Sequence, residues 1–248
     1  MVVLKTSGEL ALMRDAGKIS AQALQVGGEA VKPGVTTGEI NRAIHHFIKS
    51  QGAIPSFLGY GGFPASACIS VNDEIIHGIP GDRVLKEGDV VSIDVGAIYK
   101  GYHGDNAATF ACGTITPECQ RLLDVTQESL MKAIEAAQVG NRLGDVSYAV
   151  QSHVEPFGYG IVKQYVGHGI GTEMHQAPEV PNFGKPGRGI RLMPGMTIAI
   201  EPMVNMVGEG IKVLSDGWTV VTASGSPAAH FEHTIAITDN GPVILTLL

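Results

Sequence analysis

The stretch VVSIDVGAIYKGYHGDNAATF, Val90–Phe110, reads as two β-rich arms broken at Tyr99-Lys100-Gly101 as a hairpin would be, with one aspartate inside each arm. Asp94 and Asp105 stand nearly the same distance from the turn, so the ladder should set them face to face or diagonally, where like charges repel. A lysine reaching in, a carboxyl kept protonated, or a bound cation would each relieve the conflict. Acids are among the residues least often hidden without partners, so something positive is expected among them.

Outward from the hairpin, the chain follows one plan twice. Ser7 to Val31 has helical periodicity through Leu10, Leu12, Met13, Ile19 and Leu24, and Pro33-Gly34 stops it. Thr36 with Glu39 has the spacing of a capping box, followed by Ile40, Ala43, Ile44, Phe47 and Ile48 on one face, ending near Gly52. A β-rich run from Ala67 to Ile76 precedes the hairpin. The order then restarts with a helix opening at Thr116-Pro117 and running through Leu122, Leu123, Leu130 and Ile134. A shorter helix from Gly144 to Val154 and β-type runs to Leu248 complete it.

Three local echoes occur in the same order in both halves. Gly34-Val35-Thr36-Thr37-Gly38-Glu39-Ile40 resembles Gly140-Asn141-Arg142-Leu143-Gly144-Asp145-Val146, His77-Gly78-Ile79 resembles His168-Gly169-Ile170, and Gly88–Asp94 resembles Gly195–Glu201. The expectation is an α+β fold in one domain, 1–248, with pseudo-symmetric halves of about 1–113 and 114–248. Each half would pack two helices on antiparallel strands. Pseudo-twofold symmetry would bring Asp94 and Glu201 to equivalent edges of a central cleft, with His77 and His168 similarly paired.

Composition excludes several function classes. A formal charge of -7 with 17 Lys+Arg gives no electrostatic footprint for nucleic acid or an anionic membrane. Met1 to Asp15 carries Lys5, Glu9, Arg14 and Asp15 without an uninterrupted apolar run, so neither a secretion signal nor a membrane anchor is expected there. Cys68, Cys112 and Cys119 are odd in number and lack metal-type spacing, which fits a reducing compartment, the cytoplasm by default.

Two more acids share the setting of the aspartates. Glu201 ends the apolar run Met196–Ile200, and Glu232 lies between His230-Phe231 and His233–Ile237, both read as strand interiors. His168 sits among Gly167, Gly169 and Gly171, which permit close approach by a ligand. Four carboxylates and a neutral imidazole sum to a charge that two divalent cations cancel. Oxygen-dominated ligation with one imidazole suits Mn, Fe or Co better than a structural zinc site.

Together these segments resemble the type I methionine aminopeptidases of the pita-bread metallopeptidase family. The resemblance runs nearly end to end and rests on Val71–Pro80, Ser92–Val95, His103-Gly104-Asp105, Gly167–Gly171 with His175, Ile200–Val204 and Glu232-His233-Thr234. It implies a pita-bread fold with the active site in the central cleft. It also implies two divalent metal ions, of Co, Mn, Fe, Zn or Ni, spanned by a hydroxide. Asp94 would chelate one ion, His168 with Glu201 would complete the other, and Asp105 and Glu232 would bridge both. Glu201 would shuttle the proton, His175 would stabilise the oxyanion, and His77 would meet the substrate beyond the cleaved bond. The methionine pocket would be formed by Phe57, Tyr60, Phe63, Cys68, Met174 and Trp218, with Met174 and Phe63 standing where relatives often carry an aromatic and a tyrosine.

The implied reaction is removal of the N-terminal methionine from nascent proteins and peptides with a small second residue. The implied partners are the polypeptide N-terminus and, transiently, the ribosome, with the enzyme a monomer. Only residues 202–231, 30 in all, separate Glu201 from Glu232, too few for the helical insertion of type II enzymes. The alternatives are an X-prolyl aminopeptidase or dipeptidase of the same fold, and a non-catalytic peptide-binding module.

Overall fold

The computed structural model describes residues 2–248. In the first half, α1 (Ser7–Glu29) and α2 (Thr37–Ser50) precede β1 (Ile54–Pro55), β2 (Ala67–Val71), β3 (Glu74–Ile76), β4 (Val90–Tyr99) and β5 (Tyr102–Ala111). In the second, α3 (Pro117–Ala136) and α4 (Leu143–Val154) precede β6 (Gly160–Ile161), β7 (Gly167–Gly169), β8 (Gln176–Val180) and β9 (Thr197–Ile200). The chain closes with β10 (Met203–Asn205), β11 (Ile211–Val213), β12 (Val220–Thr222), β13 (Ala228–His230), β14 (Glu232–Thr238) and β15 (Gly241–Ile244).

The helices begin where their caps dictate. Thr36 accepts from the Glu39 backbone N–H, while the Glu39 carboxylate accepts from the Thr36 backbone N–H, so two otherwise orphaned donors are satisfied. Thr6 and Glu9 do the same for α1, which ends at Glu29, four residues before Pro33. One face of α2 buries Ile40, Ile44 and Ile48, spaced at one helical turn.

The main sheet has the order β1-β4-β5-β14-β9-β7-β8, with β2 also on β4 and β15 also on β14. Two cores lie on its helix-covered side. The α1 and α2 side chains Leu24, Ile40, Ile44 and Ile48 pack with Ile69, Val91, Ile93 and Val95 from β2 and β4. Correspondingly, Leu122, Leu130, Val146 and Val150 from α3 and α4 pack with Ile198, Ile200, Ile235 and Ile237 from β9 and β14.

The pseudo-symmetry extends to single hydrogen bonds. Gly34 N–H donates to Leu85 O and Leu85 N–H to Val35 O; in the second half Gly140 N–H donates to Leu192 O and Leu192 N–H to Asn141 O. Gly38 N–H to Gly81 O has its counterpart in Gly144 N–H to Arg188 O. Thus the echoed heptapeptides occupy equivalent backbone environments at the starts of α2 and α4.

The sequence-based reading needs two corrections. Asn72, at φ 61°, turns the Ala67–Ile76 run into two separate strands, β2 and β3. Glu201 and Glu232 are not strand interiors: Glu201 follows the end of β9, and Glu232 opens β14. Pro202 explains the first, because it has no N–H to continue a ladder.

The β4–β5 turn is Lys100-Gly101, both with φ positive, the two-residue geometry that matches strand twist. Its register pairs Gly96 with Asp105 and Asp94 with Ala107, so the two aspartates lie diagonally on one face. At Gly104 the sheet meets α1 backbone to backbone: a Cβ there would lie 2.5 Å from Gly17 N and 2.6 Å from Gly17 Cα. Only glycine lets α1 seat directly behind Asp105.

Candidate active site

Strand register assembles the site. Asp94 faces Ala107, and Ala107 in turn faces Glu232 on the adjacent β14, two residues along β5 from Asp105. Thr234 faces Ala199 of β9, and Ala199 faces His168 of β7. Because strand side chains alternate, Asp94, Asp105, His168, Glu201 and Glu232 gather on the sheet face opposite the helical cores. Thr234 links the centre further, with its Oγ1 donating to Asp105 O at 2.8 Å and accepting from Asp105 N–H.

Ligand atoms from Asp105, His168 and Glu232 fall within 4.8 Å of one another. His168 Nε2 is 3.6 Å from Glu201 Oε1 and 4.0 Å from Asp105 Oδ2. Its Nδ1–H donates to Gly169 O at 2.9 Å, which leaves Nε2 with a free lone pair aimed at the acids.

Several carboxylate oxygens here have no protein donor. Asp94 Oδ1, Asp105 Oδ1 and Glu232 Oε1 are buried without a hydrogen-bond partner. Burial, reinforced by Asp105 and Glu201, pushes the Asp94 carboxyl well above the usual range. Burial also pushes Asp105 up to about 7. Glu201 is raised by burial and by Asp105, and Glu232 by burial together with Asp105, Asp94 and Glu201. Among the described residues no lysine or arginine pairs with them; only His168 and His230 approach. The remaining remedies are protonation and a cation, and an oxygen-rich set with one imidazole fits hard or borderline divalent ions. These residues therefore fit a divalent metal centre.

The histidines are held neutral. Burial lowers His168 to about 4 with help from the neighbouring His175, and burial likewise brings His77 to about 4. His175 is lowered by burial. Its ring lies edge-on to His168 with centroids 4.3 Å apart. The Tyr60 hydroxyl meets His175 Nδ1 at 2.7 Å. His77, at φ 60°, holds a backbone conformation that costs a non-glycine residue of order 1–3 kcal/mol.

One cavity joins these groups to an apolar wall. Its lining comprises the five acid and imidazole groups, His77 and His175, and Phe57, Tyr60, Phe63, Cys68, Met174 and Trp218. Every residue singled out from the sequence therefore lies on this one surface. Phe63 and Trp218 pack edge to face at 5.2 Å, and Phe57, Phe63, Cys68 and Met174 form one buried cluster.

Sequence reasoning missed several neighbours. Asn182, fully buried, donates to Glu201 O at 2.9 Å. Lys5 Nζ donates to Gln176 Oε1 at 3.0 Å, bracing the segment that carries His175. His103 pairs with Ser56 at 3.0 Å. His230 places Nε2 3.9 Å from Glu201 Oε2. No motif marked Asn182, Lys5 or Gln176; His103 and His230 stand inside or beside the quoted segments, His103-Gly104-Asp105 and His230-Phe231-Glu232, with no role legible for either ring.

An antiparallel sheet carrying a buried acid-and-imidazole centre beside an apolar cavity suits a metal-dependent hydrolase. The pattern of metallopeptidase family M24 matches residues 11–239, and the chain belongs to this family. Within it, the chain is 56% identical over 248 residues to the methionine aminopeptidase of Clostridium acetobutylicum, covering 100% of this chain and 99% of that protein. The crystal structure of methionine aminopeptidase from Rickettsia prowazekii superposes with a TM-score of 0.98 at 43% identity, covering 100% of both chains. The prolidase from Pyrococcus horikoshii shares the fold at a TM-score of 0.80 and 24% identity, covering 100% of this chain and 64% of that one. The architecture is thus the pita-bread fold expected from the sequence, and the chain is an enzyme, a hydrolase of peptide bonds.

Proposed function

We propose that this chain is a methionyl aminopeptidase that removes the N-terminal methionine from nascent proteins and peptides, preferring a small second residue. The observation that carries the reading is the junction, in one cavity, of buried unpartnered carboxylates with an apolar wall. The similarity to methionine aminopeptidases along the whole chain supports the substrate class. The likeness to the prolidase supports the shared fold alone.

Two divalent cations would be held, one by Asp94, the other by His168 and Glu201, with Asp105 and Glu232 shared. When bound, such cations polarise a carbonyl and acidify water near neutral pH. Glu201 serves as the proton carrier between the attacking water and the leaving amine. The Tyr60 hydroxyl lies 2.7 Å from His175 Nδ1; in the tautomer where the hydroxyl donates, the neutral ring carries its proton on Nε2 and can present it to the developing oxyanion. His77 orients the substrate beyond the scissile bond. Phe57, Tyr60, Phe63, Cys68, Met174 and Trp218 enclose the flexible thioether, with the unbranched Met174 side chain free to adapt to it.

We propose a monomer. No helix among the described residues is long and apolar enough to cross a membrane. We place the enzyme in the cytoplasm, meeting nascent N-termini transiently at the ribosome. The test is hydrolysis by metal-stripped protein resupplied with Mn or Co. Met-Ala-Ser should be cleaved, Ala-Pro-Ala should not, and EDTA should abolish activity. Cleavage of Ala-Pro-Ala instead would favour the X-prolyl reading, and no hydrolysis of either peptide with metal bound would favour a binding module.

A further inference from the structure

We propose that His230 is a positioning residue for Glu201, donating a hydrogen bond from its ring to the Glu201 carboxylate when that group ligates a cation. The inference rests on the reading of Glu201 as a ligand. Its starting point is an anomaly: the His230 side chain is 2% exposed, yet neither Nδ1 nor Nε2 has a hydrogen-bond partner. Buried polar atoms in folded proteins are nearly always satisfied, and an orphaned ring calls for a partner that another state supplies.

The backbone of His230 is pinned. Its N–H donates to Thr109 Oγ1 at 2.9 Å, and that hydroxyl donates back to His230 O at 2.9 Å. In the β10–β13 ladder His230 pairs with Met203, two residues beyond Glu201, which brings its ring beside that carboxyl. Nε2 stands 3.9 Å from Glu201 Oε2, just outside hydrogen-bond length. The other carboxylate oxygen, Oε1, faces His168 at 3.6 Å. Glu201 is therefore flanked by two imidazoles, one on the side of the acid cluster and one behind it. His230 is absent from the lining of the cavity, so its ring addresses Glu201 rather than the substrate.

A cation seated on Glu201 would fix its carboxyl between the two imidazoles, with Oε2 turned to His230. Once a cation holds Glu201 as a carboxylate, the oxygen turned to His230 becomes a charged acceptor, and such bonds are short and strong. Partners behind metal ligands fix ligand orientation, and losing one costs about 10–100-fold in metal affinity.

The experiment is calorimetric titration of metal-stripped protein with Mn²⁺, together with melting of the metal-free forms. His230→Leu should bind Mn²⁺ about 10–100-fold more weakly. Without metal it should melt no lower than the wild type, since it removes two unpartnered nitrogens. His230→Gln, which keeps a side-chain N–H donor, should regain most of the affinity; His230→Met replaces the leucine variant if that does not fold. Unchanged affinity in His230→Leu, or equal weakening in the Leu and Gln variants, overturns the proposal. A Glu201→Ala control separates the two levels. If it binds Mn²⁺ as the wild type does, the ligand assignment itself fails; if it binds weakly while His230→Leu does not, only the role of His230 falls.

Discussion

Metal-stripped protein should lose stability as pH rises from 6.5 to 8, opposite to the behaviour of an ordinary salt-bridged fold. The carboxyls of Asp94, Glu201 and Glu232 are raised by burial and that of Asp105 reaches about 7, whereas unfolded carboxyls titrate near pH 4. Between those values the folded chain holds protons the unfolded chain has released, so stability present at low pH is lost as pH climbs through the folded pKa. The histidines act in the other direction. His77, His103, His168 and His233 are lowered to about 4 and His230 to about 3, so their stabilisation grows with pH, a growth that fades above about 6.5 as the unfolded imidazoles lose their last protons. Above that value the carboxyls dominate. Each proton retained only by the folded state subtracts about 1.4 kcal/mol per pH unit. One such proton over the window removes about 2 kcal/mol, or roughly 4–8 °C of Tm for a chain of this size. Calorimetric scans in EDTA at half-unit steps measure this directly. Saturating manganese should abolish or reverse the slope, because carboxylates held by cations are already ionised. A Tm in EDTA that stays flat or rises from pH 6.5 to 8 would refute the clustering of buried, uncompensated acids.

Other consequences follow from the same geometry. Asp105→Asn should reduce the number of bound divalent ions from two to one or none in a titration, since Asp105 lies diagonal to Asp94 and beside His168. His175→Ala should lower kcat about 100- to 1000-fold, the range for losing an oxyanion donor, with metal stoichiometry intact; an undiminished kcat would remove His175 from the mechanism. Gly104→Ala would drive a methyl into the α1 backbone at Gly17, and its Tm should fall by several degrees with or without metal.

Much of this organisation was legible because it is written locally. The capping box at Thr36 and Glu39, the turn at Lys100-Gly101 and the echoed heptapeptides each depend on residues a few positions apart. The acids stood out because a carboxylate among β-branched residues violates the strand pattern. Less legible was whatever depends on which strands meet. Nothing near Glu232 announces that β14 inserts between β5 and β9, yet that insertion delivers it to the aspartates. His230 lies in a three-residue strand, too short for an alternation to show which way its ring points. The ends of β9 and β14 were misjudged for a related reason: an apolar run marks a strand, but its limits depend on partners elsewhere in the chain.

The most direct test is anomalous diffraction from crystals grown in excess manganese. Two peaks should appear within coordination distance of the carboxylates of Asp94, Asp105, Glu201 and Glu232, with His168 Nε2 on one of them. A map without peaks there, or with manganese bound elsewhere while the acids stay protonated, would contradict the account.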